Sequence, residues 1–149
     1  MRFTMFSFLV IGTAILVGCR PTAPSSTYDL LCDAFKHEPE MVRVGDKVTF
    51  TYIVKNSGSA TIPPGSYTID LYVDDQRVGG DEDTFALKPD GISMYSMDEG
   101  YYHFEATKPG IVKYRLVLDP NDTLKESDET NNVFEGTVEV SEKLPSEAD

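Results

Sequence analysis

An all-β domain is predicted by two observations. From Tyr28 onward apolar and polar residues alternate with a period of two between closely spaced turn signals, and no stretch sustains a helical apolar stripe for three turns. Period-two alternation sends successive side chains to opposite faces of a strand, so each run has one face to bury and one to leave in water.

At the start of the domain, alternation places Leu30, Cys32 and Ala34 on one face. Next, Val48, Phe50, Tyr52 and Val54 alternate with Lys47, Thr49, Thr51 and Lys55, and the strand stops at Asn56-Ser57-Gly58. After the Pro63-Pro64-Gly65 loop, Tyr67, Ile69, Leu71 and Val73 alternate with Thr68, Asp70 and Tyr72. Asp74-Asp75-Gln76 then turns the chain into a short strand at Arg77-Val78. Weaker strands are expected at Asp83 to Leu87, Ile92 to Met97 and Gly100 to Ala106, divided by Lys88-Pro89-Asp90-Gly91 and Asp98-Glu99-Gly100. Val112, Tyr114, Leu116 and Leu118 face away from Lys113, Arg115 and Asp119. The last strand sets Phe134, Val138 and Val140 against Glu135, Thr137 and Glu139.

Some seven to nine short antiparallel strands, each with one apolar face, need two sheets packed face to face. The expected architecture is an immunoglobulin-like β-sandwich over residues 28–140. There is no Trp, so aliphatic, Tyr and Phe side chains must fill the core.

Ahead of that domain, Arg2 and the α-amino group precede an apolar run from Met5 to Val17. At about 13 residues the run is too short for the roughly 20 that span a bilayer, and it fits the apolar part of an export signal. Leu16-Val17-Gly18-Cys19 resembles the lipobox of bacterial lipoproteins. That resemblance implies a signal peptide over residues 1–18, cleavage before Cys19, and lipidation of Cys19. Residues 19–27, rich in Pro, Ser and Thr, then form a tether, and the acidic segment 141–149 a disordered tail. Several acyl chains, at about 0.8 kcal/mol per buried CH₂, anchor a protein to a membrane durably. The expected location is the cell envelope. Arg20 follows Cys19 where Asp would signal inner-membrane retention, so in a Gram-negative host the outer membrane is expected.

The net charge of −12 makes nucleic acid and anionic lipid surfaces poor partners. Cys19 and Cys32 are the only cysteines; with Cys19 lipidated, Cys32 is a lone thiol, read as a small hydrophobe in a strand.

Between Tyr28 and Val140 the residues resemble the CARDB family (cell-adhesion-related domain found in bacteria). The resemblance is carried by Tyr28-Asp29-Leu30-Leu31, by Val48 to Val54 followed by Lys55-Asn56-Ser57-Gly58, and by Leu71-Tyr72-Val73-Asp74. Its most specific part is Asp119-Pro120-Asn121-Asp122 with Glu126-Ser127-Asp128-Glu129-Thr130-Asn131-Asn132 before the last strand. The resemblance implies a seven-stranded sandwich of bacterial and archaeal surface proteins, often repeated, serving adhesion or spacing without catalysis. This sequence departs from the pattern in its single copy, in Asp75-Gln76 where a Gly-containing turn is common, and in extra residues around Met94 to Tyr102.

The Asp119 to Asn132 segment carries the densest polar chemistry. Oxygen-bearing side chains at spacings of two suit Ca²⁺, which takes six to eight oxygen ligands, and Asp119, Asn121, Glu126 and Asp128 are the candidate ligands. The register is not that of the twelve-residue helix-loop-helix site, since Leu124 and Thr130 stand where its Gly and Glu belong. The alternative is a turn in which Asp119 and Asn121 bond to nearby backbone while Glu126, Asn131 and Asn132 satisfy amides where the chain re-enters the sheet. A second candidate surface is aromatic: Tyr95, Tyr101 and His103 could stack on a sugar or a protein partner. No enzyme is expected. Neither His37 nor His103 lies in a nucleophile or metal motif, and adjacent carboxylates such as Asp98-Glu99 point to opposite strand faces. The expected function is therefore a non-enzymatic, lipid-anchored envelope module of adhesion type, binding protein or glycan. The alternative is a structural or assembly accessory of an envelope complex, stabilised by Ca²⁺ and recruited through an open sheet edge.

Overall fold

The computed structural model describes residues 27–96 and 103–143. The expected signal peptide, Cys19, the tether up to residue 26, Tyr101 and the end of the acidic tail lie outside the described residues. Within them the chain forms nine strands and no helix: β1 (Leu30–Glu38), β2 (Val42–Arg43), β3 (Lys47–Asn56), β4 (Thr68–Val73), β5 (Gln76–Glu82), β6 (Ile92–Ser96), β7 (Phe104–Glu105), β8 (Gly110–Leu118) and β9 (Val133–Ser141).

One sheet runs β1-β3-β6, with β7 also beside β3; the other runs β2-β9-β8-β4-β5. All pairings are antiparallel except the short parallel β2–β9 contact. The predicted all-β sandwich is therefore the observed fold. The alternating faces explain it: Val48, Phe50, Tyr52 and Val54 of β3 and Ile69, Leu71 and Val73 of β4 are all buried, as are Val112, Leu116 and Leu118 of β8 and Val138 and Val140 of β9. Each such side chain contributes roughly 1.5–3 kcal/mol on leaving water.

Aromatic contacts close both lateral edges of the sandwich. On one side Phe35 stacks on Tyr114, with ring centroids 4.5 Å apart, and also meets Phe50 and Phe134. On the other, Tyr52 of β3 stacks on Tyr95 of β6 at 5.3 Å and its hydroxyl donates to Asp81 of β5, tying the two sheets together. Burial first, and then the Asp81 carboxylate, keeps the Tyr52 hydroxyl protonated.

Three expectations need correction. A bulge between Cys32 and Ala34 shifts the register of β1, so Ala34 turns to solvent and Phe35 packs inward; the Leu30–Cys32–Ala34 face is broken. Asp83 to Leu87 is no strand and makes only the isolated Ile62–Leu87 bridge. The strand begun at Arg77-Val78 is longer, running from Gln76 to Glu82. In β6 the inward positions are Ser93 and Tyr95, which leaves Ile92 and Met94 exposed. The β4–β5 connection is a two-residue turn with Asp74 and Asp75 both at positive φ (45° and 64°), the conformation that matches strand twist and is usually met by Asn-Gly or Asp-Gly. Asp74 also continues the sheet: its amide donates to the Lys113 carbonyl, and its carboxylate accepts from the Lys113 amide.

Candidate functional site

The acidic connection between β8 and β9 folds back over one end of the sandwich. Asp119, at φ 44°, ends β8, and its amide donates to the Thr68 carbonyl of β4. Its two carboxylate oxygens accept from the Thr123 hydroxyl (2.6 Å) and the Leu124 amide (2.7 Å). This wraps the loop so that Leu124 plugs into the core. Two residues on, Glu126 is buried beside Tyr28, with which it forms an isolated parallel bridge. One Glu126 oxygen accepts from the Leu30 amide at the start of β1 and the other from Asn132 Nδ2 at 2.8 Å. Glu129 accepts from the Glu126 amide, Asp128 from the Thr130 amide and hydroxyl, and Asn131 donates to Asp29.

The four proposed ligands are therefore dispersed. Asp119 and Glu126 spend both oxygens on protein donors. Asp128 closes its own turn on the surface, and Asn121 lines a separate shallow pocket with Asp81 and Glu82. Among the described residues no group of three or more His, Cys, Asp and Glu could hold a metal ion. The donor set fits a hydrogen-bonded closure that staples the start of β1 to the start of β9.

That closure has an electrostatic consequence. Burial pushes the Glu126 carboxyl up to about 7, against the lowering influence of the Leu30 and Asn132 bonds, with Glu129 and Asp119 adding to the rise. A carboxyl raised above its unfolded value binds more protons in the native state, so stability is greatest below the unfolded value near 4.5 and falls as pH rises to about 7. The expected loss is on the order of 3 kcal/mol across that window. Urea melts of the parent and of Glu126→Gln at stepped pH would check it, because the variant should lose most of the slope. An equal slope in both would assign the pH dependence elsewhere.

The aromatic candidates separate as well. Tyr95 faces the interior, stacked on Tyr52 and with its hydroxyl 3.3 Å from that of Tyr67, so it belongs to the core edge rather than to an open contact surface. His103 is half-buried, its Nε2 3.7 Å from Glu105, while its Nδ1 is buried with no hydrogen-bond partner among the described residues. Tyr101 lies outside the described residues. Cys32 is half-buried, its thiol donating to the Ala34 carbonyl, and burial pushes it up to about 11, so it is no thiolate.

Sequence reasoning missed a groove on the outer face of the five-stranded sheet. It has a volume of about 410 Å³ and is lined by Tyr72, Asp75, Lys113, Arg115, Glu135 and Thr137, together with Tyr114 and Gly136. Alternation places Tyr72, Lys113, Arg115, Glu135 and Thr137 outward, but only the pairing of β4 with β8 and of β8 with β9 brings them together.

A family model matches residues 27–136, and that family is CARDB. The chain belongs to the CARDB family. The CARDB domain of a Pyrococcus furiosus protein, solved in complex with di-metal ions, superposes with a TM-score of 0.65 at 22% identity, covering 79% of this chain and 97% of that one. A domain of a putative cell surface protein from Methanosarcina acetivorans gives 0.59 at 20% identity, covering 76% of this chain and 91% of that one. A Geobacter metallireducens protein gives 0.55 at 24% identity over 74% and 93% of the two chains. At these identities the likenesses establish a shared fold. A comparison with curated protein sequences finds no match. Membership makes this chain an adhesion-related CARDB module.

Proposed function

We propose that this CARDB domain is a non-enzymatic binding module held at the cell surface by lipid on Cys19. The observation that carries the reading is the family match over residues 27–136, which spans nearly the whole sandwich. Two others support it: Leu16-Val17-Gly18-Cys19 stands directly upstream, and the Methanosarcina acetivorans relative is a putative cell surface protein. The outer face of the five-stranded sheet presents a groove to a protein or glycan partner. In a bacterial host, the full chain is expected to incorporate an alkyne fatty-acid label and to sediment with membranes. Cys19→Ser should do neither. A labelled, sedimenting Cys19→Ser, or a parent that stays unlabelled and soluble, would overturn the anchor.

The acidic closure is part of this proposal as a structural element rather than a calcium switch. Although the Pyrococcus furiosus relative was solved with di-metal ions, here Asp119 and Glu126 are each committed to two protein donors. Thermal melts of the full chain with Ca²⁺ and with chelator are expected to coincide. A melting temperature raised by Ca²⁺ and lost in Asp128→Ala would restore the metal reading.

A further inference from the structure

Across the outer face of the five-stranded sheet, Tyr72 of β4 stands opposite Arg115 of β8, and Arg115 stands opposite Glu135 of β9. In the next outward row Lys113 stands opposite Thr137. A directly opposed Arg and Glu usually close into a cross-strand ion pair. Here the Arg115 guanidinium lies over the Tyr72 ring instead, 4.7 Å from its centroid. Among the described residues neither Arg115 nor Lys113 makes an ion pair. Lys113, Glu135 and Thr137 are exposed, whereas the contact between Arg115 and Tyr72 holds both half-buried and fixes one wall.

The lining therefore pairs two cationic donors with two carboxylate acceptors, Asp75 and Glu135, and is itself neutral on a chain of net charge −12. An acidic ligand would gain two cations but meet two carboxylates and the repulsion of the whole molecule. A basic ligand would find richer acid in the Asp119 to Glu129 loop. An uncharged polyol suits the lining better, because each hydroxyl both donates and accepts, and because the apolar C–H face of a sugar ring can pack on the Tyr72–Arg115 wall. The volume of about 410 Å³ falls at the small end of the roughly 300–1,000 Å³ typical of ligand pockets.

We propose that this groove binds an uncharged oligosaccharide, with Glu135 and Asp75 accepting from sugar hydroxyls and Arg115 and Lys113 donating to them. The assignment rests on the reading of the domain as a surface-binding module and names its ligand class.

The test uses the full chain in detergent micelles on an array of neutral glucan, mannan and chitin oligomers, polygalacturonate and acidic peptides. Capture is expected on a neutral glycan, weakened about tenfold, or 1.4 kcal/mol, by Arg115→Ala and by Glu135→Gln. Lys36→Ala, on the opposite sheet, should leave it unchanged. Glu135→Gln keeps the side-chain shape, so it remains informative if Arg115→Ala fails to fold. Capture of peptides or polygalacturonate alone, neutral-glycan capture that neither variant weakens, or no capture at all would overturn the assignment. Membrane fractionation of the same cells reads anchoring separately, so an anchored protein that ignores neutral glycans would retain the surface-module reading while losing this one.

Discussion

Asn56→Ala is expected to destabilise the domain by about 4 kcal/mol, a large share of the 5–15 kcal/mol that holds a typical domain folded. Asn56 is fully buried at the end of β3. Its Nδ2 donates to the Ala60 carbonyl (2.8 Å) and the Leu87 carbonyl (3.0 Å), and its Oδ1 accepts from the Gly58 amide (3.0 Å). Its main chain pairs with Gly91 and Asp90, so one residue clamps two loops that are distant in sequence. Alanine would strand the Ala60 carbonyl and the Gly58 amide, each costing about 1–3 kcal/mol when buried without a partner, and leave the Leu87 carbonyl with the Ile62 amide alone, less whatever the loops recover by relaxing. Asn56→Asp should be no better, because it points a carboxylate at two carbonyl oxygens. Urea denaturation gives the measurement, with Ser57→Ala as the surface control. A loss under about 1 kcal/mol would mean that water replaces the amide and that the clamp is not structural.

This clamp was partly legible. Asn56-Ser57-Gly58 reads as a strand end from turn chemistry alone, but the Leu87 carbonyl that the side chain reaches lies 31 residues on, and no local pattern points to it. The central strands were readable for the same reason in reverse: in β3 and β4 a local period decides burial, and the burial alternates without interruption. In β1 the period is broken by one bulged residue that leaves no mark on composition, so alternation assigns Ala34 to the wrong face and does not reveal the inward role of Phe35. The acidic loop shows the limit most clearly. Its oxygen-rich spacing serves a cation or a set of turns equally well, and the choice depends on donors such as the Leu30 amide, 96 positions from Glu126. The outer groove needs three strands in register, and alternation marks its side chains only as the wet half of each strand.

Gly136→Val is expected to cost about 4 kcal/mol, above the common range for overpacking because a pinned aromatic ring must move, and Gly136→Ala about 3 kcal/mol, at the top of that range. Gly136 sits on the inner face of β9 between Phe134 and Val138, directly opposite Tyr114. A Cβ there would fall 2.2 Å from the Tyr114 hydroxyl oxygen and 2.3 Å from its Cζ. The ring occupies the space a side chain would use, so a cross-strand aromatic covers a glycine. It has little room to withdraw, since it stacks on Phe35 at 4.5 Å and 9° and meets Phe50 at 5.5 Å and Phe134 at 6.3 Å. A glycine inside a strand is otherwise a weak choice, lacking a side chain to pack and carrying extra backbone entropy. The cycle with Tyr114→Ala therefore separates two causes. If the ring is the obstacle, Gly136→Ala should be neutral or mildly stabilising once Tyr114 is truncated. If Gly136→Ala costs as much in that background, the strain lies in the β9 backbone, and the aromatic edge of the sandwich does not depend on the absence of this side chain.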